Sequence, residues 1–336
     1  MQRSGFGDII RVLAYIIISF LLAAVISPLL FKAGKNFAEV FLNKETTDFL
    51  TWLAKKAAKA EFDTYFKRSL IIAALLGLWP LIHALKSSRP IGQQSMWSTM
   101  FSKPANSGSN KWIAGPKQLG SGLLISSGVF LIMVLVIHLM GWRSWDQSVT
   151  IQEVPSFALK GLQTGILVSL VEEILFRGLL MVIFLRALPP LLAIISLSLL
   201  FAAVHFLQPP DDLSVANPYA LSAGFEMLSL IGLRFLDPEL MIASFSTLFM
   251  TGIILAFARY RTRSLWLPIG IHAGWVFALK FYLKLTNRHP DHPEGAGIYL
   301  GESLLEGVLP LGALILTGII LAIYLRKPSS EESPPE

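Results

Sequence analysis

Apolar residues fall in long blocks along the chain, with the polar and charged positions gathered between them. The blocks cover 9–31, 69–85, 119–140, 157–188, 191–207, 240–258, 265–285 and 304–325. Each approaches the ~20 residues that cross a bilayer as a helix. Sustained polar–apolar alternation, which a membrane β-barrel would need, is missing. The pattern therefore predicts an all-α, polytopic transmembrane helical bundle of about eight spans. It divides into an N-terminal region of three spans (1–156), a five-span core (157–326) and a disordered tail (327–336).

Composition agrees with that pattern. Of 336 residues, 54% are hydrophobic and 15% charged, and the mean hydropathy is +0.61, whereas soluble domains carry about 25% charged residues. The first apolar block follows Arg3 and holds Arg11 near its start but is longer than the ~7–15 residues of a signal-peptide core, and it lacks an A-x-A cleavage site. It reads as a retained anchor. The chain has no cysteine, which excludes disulfides, thiolate metal ligands and a cysteine nucleophile.

The formal charge of +6 does not point to nucleic acid, because no basic run is interleaved with aromatics; the basic residues stand beside the apolar blocks as topology signals. With the N-terminus in the cytoplasm, the inside segments hold Lys86, Arg89, Lys103, Lys111 and Lys117, then Arg259, Arg261, Arg263, Arg326 and Lys327. Opposite them stand Asp211, Asp212, Asp237, Glu239, Asp291 and Glu294. The seven lysines between 32 and 67 run against this assignment. Both termini are expected on the cytoplasmic side. Around 37–60, Phe37, Val40, Phe41, Phe49, Leu50, Trp52 and Leu53 mix with Lys and Glu. This composition suits an amphipathic helix at the membrane surface, or a solvated connector. The Ser-, Gly-, Asn- and Pro-rich stretch 86–118 reads as a flexible loop.

Charge inside an apolar block needs a reason, since it costs about 2.5–3.5 kcal/mol per residue at a span centre. The run VEEILFRGLL puts Glu172, Glu173 and Arg177 in the fourth block. Glu173 and Arg177 are four apart, share a helix face and can pair; Glu172 lies about 100° round, which leaves it for other work. His205 follows Phe201 in FAAVH, and His272 sits in SLWLPIGIHAGW. Two imidazoles and a second carboxylate from three helices suffice to converge on one water molecule. Two chemistries fit. Either Glu172, His205 and His272 hold a divalent ion such as Zn²⁺, or Glu172 is a general base and the histidines stabilise an oxyanion. His83 and His138 have no acidic neighbour at helical spacing and read as packing histidines, while His289 and His292 fall in a polar loop. HExxH and GxSxG are absent, and the GFGD at 5–8 precedes the first span without a partner aspartate inside a span.

EExxxR, then FxxxH, then a histidine after Ser-Leu-Trp-x-Pro occur here in order, over roughly 162–285. In these motifs the chain resembles the CPBP family, which includes the CAAX prenyl endopeptidases and bacteriocin-processing or immunity proteins. The resemblance implies a helical bundle around a hydrated cavity and an intramembrane peptidase, a metalloprotease by family type. Its substrates would be membrane-associated, including prenylated proteins or peptides, and its other partner is membrane lipid. It also implies that Glu172 activates water, that Glu173 and Arg177 organise the site, and that His205 and His272 bind metal or the oxyanion. One position departs from the pattern: the polar residue expected four after the last histidine is Val276. That departure admits a catalytically silent immunity or scaffolding protein of the same family. A proton-coupled transporter, the other use of intramembrane Glu, His and Arg, finds no support in repeated halves.

Overall fold

The computed structural model describes residues 5–43, 48–86, 111–207, 214–236, 241–288 and 307–326, with 209, 238, 299, 300 and 304 besides. The loop reading of 87–110, the tail from Lys327, the acidic residues proposed for the opposite side and His289 and His292 lie outside these residues. The helices are α1 (Gly5–Leu42), α2 (Asp48–Lys59), α3 (Phe62–Lys86), α4 (Lys111–Leu139), α5 (Val154–Glu173), α6 (Met181–Ala187), α7 (Pro190–Phe206), α8 (Ala223–Leu233), α9 (Ser246–Thr262), α10 (Trp266–Leu285) and α11 (Val308–Tyr324). The chain packs as two compact units, residues 1–93 with 203–241, and 94–202 with 242–336.

Among the described residues, four helical segments are long and apolar enough to cross a membrane: Phe6–Leu42, Phe62–Leu85, Gly115–Leu139 and Ile242–Thr262. The protein is accordingly an integral, helical membrane protein. The expected count of eight is not reached on this measure, for physical reasons. The apolar helices α7 and α11 have only 17 residues each. The block 157–188 is interrupted by Glu172, Glu173 and Arg177, and α10 carries His272, Lys280 and Lys284.

In the first unit, α1 and α3 run antiparallel, with the Tyr15 hydroxyl donating to the Ala74 carbonyl at 2.7 Å. Their contact is sealed by Phe31, Phe62, Tyr65 and Phe66 together with Met227 and Ile231 of α8. Of the region 37–60, residues 37–42 belong to the end of α1 and 48–59 form α2. The latter buries Ala54 and Ala57 and exposes Phe49, Trp52 and Leu53. Lys35 anchors its end, donating to the Ala58 and Ala60 carbonyls at 2.6 and 2.8 Å.

In the second unit, α10 is the central helix, with α4 beside it in the same direction and α5 antiparallel. The approach is backbone to backbone. A Cβ on Gly122 would lie 2.6 Å from the Leu267 carbonyl oxygen, and one on Gly270 would collide with that of Leu119. Such close contacts between small residues replace the hydrophobic drive that helices lack in lipid. They also explain why α4 starts at Lys111, eight residues before the expected Leu119: Gly115 and Pro116 read as loop formers but lie inside the helix. We expect Gly270→Ala to lower the melting temperature in detergent by several degrees, as overpacking costs about 1–3 kcal/mol. Gly128→Ala, where a Cβ meets nothing within 4 Å, should leave it unchanged.

A short antiparallel ladder, unforeseen in the all-helical expectation, pairs β1 (Arg143–Trp145) with β2 (Thr286–Arg288) and ties the end of α4 to the end of α10. Arg143 clamps it, donating to Thr286 Oγ1 at 2.9 Å and to the Thr286 carbonyl at 2.7 Å. Nearby, His138 Nδ1 lies 3.0 Å from the Tyr282 hydroxyl, the packing role its sequence context implies.

Candidate active site

The block 157–188 is not one regular helix. After α5 ends at Glu173, residues Ile174–Leu180 form a π-helical turn before α6. Turns of this kind interrupt helices frequently at functional sites, where the extra residue redirects the side chains around it. Here the turn carries Arg177 inward. Its Nη1 donates to Glu173 Oε1 at 2.8 Å, and its Nη2 to the Gly252 carbonyl of α9 at 3.3 Å. The i,i+4 pairing predicted for Glu173 and Arg177 is thus present.

The same Glu173 oxygen is 2.9 Å from His272 Nδ1 on α10. One carboxylate oxygen therefore serves a guanidinium and an imidazole together. An ionised carboxylate only accepts, so Nδ1 carries the proton and Nε2 is the nitrogen left to act. All three side chains are withdrawn from solvent, with Glu173 0%, Arg177 1% and His272 7% exposed. Buried charges persist only when paired and hydrogen-bonded. Aromatic faces add to the pairing. The guanidinium carbon lies 4.5 Å from the Phe201 ring centroid and 5.8 Å from that of Phe176. The two rings meet edge to face at 5.0 Å. Glu173 Oε2 and Arg177 Nε are buried without a hydrogen-bond partner among the described residues, unsatisfied groups that need an explanation such as reactive chemistry.

Glu172 is half-buried beside this cluster, one position back on α5. Val276 is half-buried one turn beyond His272. His205 lies on α7 one turn after Phe201, in the segment that packs with the first unit. Among the described residues no group of three or more His, Asp or Glu side chains is gathered closely enough to hold a metal ion. The seating of His272 on Glu173, the Gly252 carbonyl and the wall formed by Phe176 were not foreseen from sequence. Of these only the aromatics had a signal, at spacings that bring Phe176 beside Arg177 and make Phe201 the first residue of FxxxH.

The Ser-Leu-Trp-x-Pro stretch has a structural reading of its own. Arg263 takes a left-handed conformation, φ 53°, and its N–H returns to the Arg259 carbonyl to close α9. Ser264 Oγ then accepts the Trp266 N–H at 3.3 Å, opening α10 two turns ahead of His272.

Residues 154–278 match the family described as type II CAAX prenyl endopeptidase Rce1-like. That match supports a membrane protease of the CPBP family, and with it a peptidase of CAAX type. No curated protein and no solved structure matches the chain.

Proposed function

We propose that this protein is an intramembrane endopeptidase that hydrolyses membrane-associated polypeptides through a water molecule activated by Glu172. The observation that carries the proposal is the buried Arg177–Glu173–His272 relay beside that second carboxylate. In this reading Arg177 pairs with Glu173, and Glu173 holds His272 through Nδ1 with Nε2 toward the substrate. Glu172 takes a proton from water as the oxygen attacks the scissile carbonyl. His272 presents Nε2, the nitrogen not engaged by Glu173, to the developing oxyanion. Glu172 then returns the proton to the leaving amine, so that the net change is addition of one water across the peptide bond. A part for His205 as second imidazole rests on the FxxxH spacing.

The substrate class proposed is a prenylated CAAX-type polypeptide, carried over from a family described as a type II CAAX prenyl endopeptidase. The reading extends to topology: the four apolar helices α5–α6, α7, α10 and α11 cross the membrane as well, with both termini in the cytoplasm.

The test is cleavage of quenched peptides, prenylated and not, by the purified protein with and without a chelator and added Zn²⁺. Cleavage that survives the chelator supports the metal-free reaction written here. Cleavage lost to the chelator and restored by Zn²⁺ would replace it with metal-assisted hydrolysis. An inert wild type across the panel would favour the silent family member that Val276 suggests.

A further inference from the structure

Helix α1 is longer than a membrane crossing needs. Its 38 residues extend about 57 Å, against about 30 Å of hydrocarbon. The apolar block 9–31 suits that core, so residues 32–42 carry the helix roughly 16 Å further. Against this extension α2 folds back antiparallel. The contact is made by small side chains, Ala38 on α1 and Ala54 and Ala57 on α2, which are all buried. Its base is fastened twice: Lys35 donates to the Ala58 and Ala60 carbonyls, and the Tyr65 hydroxyl of α3 donates to the Ala57 carbonyl at 3.1 Å.

Helical spacing sorts the rest of this hairpin into two faces. On α1, Phe37, Val40 and Phe41 centre on a line about 100° back from the contact at Ala38. On α2, Phe49, Trp52 and Leu53 centre on a line about as far back from the contact at Ala54 and Ala57, in the same rotational sense. In an antiparallel pair that shared sense puts both sets on one side. Phe49, Trp52 and Leu53 are 66%, 54% and 39% exposed. The Phe37 and Phe41 rings lie 4.5 Å apart, those of Phe49 and Trp52 stack at 6.1 Å, and Lys56 Nζ stands 5.9 Å from the Trp52 ring. The other face holds Lys32, Asn36, Glu39, Asp48, Lys55 and Lys59, all exposed and mixed in sign.

A contiguous apolar surface of this kind marks an interaction site, and α1 itself indicates what covers it. Leu22, Leu29, Ala33 and Val40 form one exposed line along the helix, so the lipid-facing side of the span runs without a break into the apolar face of the hairpin. Pro28 stands about 180° round α1 from Phe37. It has no N–H for the Ala24 carbonyl, which accepts from Ser27 Oγ at 3.4 Å instead. A proline opens a helix on its own side, which inclines the segment beyond it toward the Phe37 side. The base of the hairpin, at Lys35, lies about one turn past Phe31, within the roughly 5–8 Å of headgroup region on each side of the hydrocarbon. Tryptophan and lysine stems are suited to that depth.

We infer that the α1–α2 hairpin lies on the membrane surface, with Phe37, Phe41, Phe49, Trp52 and Leu53 at the boundary of headgroups and acyl chains and the polar face toward water. Because that polar face is mixed in sign, neutral phospholipid suffices as the partner.

The test uses the full chain, which has no cysteine, in phosphatidylcholine vesicles. Leu53→Cys and Lys55→Cys each place a single nitroxide on opposite faces of α2. Power saturation then compares collisions with oxygen, which concentrates in lipid, and with a water-soluble nickel chelate. Oxygen is expected to dominate at 53 and the chelate at 55, so that the ratio of the two differs several-fold between the positions. Should Leu53→Cys fail to fold, Phe49→Cys replaces it, at a side chain that is largely exposed. Chelate contact at both positions would make the hairpin a solvated connector and overturn the inference. Shielding of position 53 from both reagents would put a protein surface in the place of lipid, and would overturn it equally. The readout does not depend on proteolysis, so it stands or falls apart from the peptidase reading.

Discussion

Glu172→Gln is expected to slow peptide cleavage by about 100- to 10,000-fold, the range attributed to a positioned general base, and to leave the melting temperature near that of wild type. Glutamine keeps the length and hydrogen-bonding shape of the side chain but cannot take a proton from water. The residue is half-buried at the edge of the relay rather than inside it, so folding should tolerate the change. Single-turnover cleavage of a quenched peptide, compared with the wild-type rate, is the measurement. If the variant stays within a few-fold of wild type, water activation belongs to another group and the mechanism above is wrong.

Replacing Glu173 should have a different signature. Glu173→Leu leaves Arg177 as an unpaired charge in a site where it is 1% exposed, a situation that costs about 3–5 kcal/mol. It also removes the acceptor that orients His272. Both stability and activity are therefore expected to fall. Adding Arg177→Met should restore much of the stability, because an apolar pair of similar volume is often tolerated where one lone charge is not, yet it should not restore cleavage. Thermal melting of the two singles and the double forms a cycle that separates structural from chemical loss. Full stability in Glu173→Leu would mean that Arg177 finds another anion, and would remove the relay from the argument.

Much of the scaffold was legible from hydrophobic blocks, since α1 and α3 contain the apolar runs expected of them and α4 and α9 cover most of theirs. The Glu173–Arg177 pair was legible too, because i,i+4 spacing on a helix is a local property. The bond between His272 and Glu173 joins residues 99 apart in sequence, and no local pattern encodes it. That is why Glu173 read as a structural partner of the arginine alone. Gly115 and Pro116 misled as loop formers, although Gly115 permits the close approach of Trp266; in membranes these residues are common within spans as well as in loops. The ladder of Arg143–Trp145 with Thr286–Arg288 is three residues long on each side, too short to show alternation. The turn at Ile174–Leu180 has no residue signature that separates it from ordinary helix.

The glycine contacts of α10 bear on how a polypeptide reaches the site. The helix is held on one flank by α4 at Gly122 and Gly270, and on another by α5, where a Cβ on Gly165 would lie 2.7 Å from the Ala273 carbonyl oxygen. Backbones in such contact can neither rotate nor slide past each other without collision, whereas side-chain contacts yield by changing rotamer. His272 thus rides on the stator of the second unit. We expect any gating motion to fall to helices seated through side chains, α11 first among them, because a Cβ on Gly312 would meet nothing within 4 Å and one on Gly318 would meet the Ile254 side chain at 3.6 Å. A spin-label pair on α4 and α10, introduced into this cysteine-free chain, should keep one narrow distance on addition of substrate, while a pair on α4 and α11 broadens or shifts.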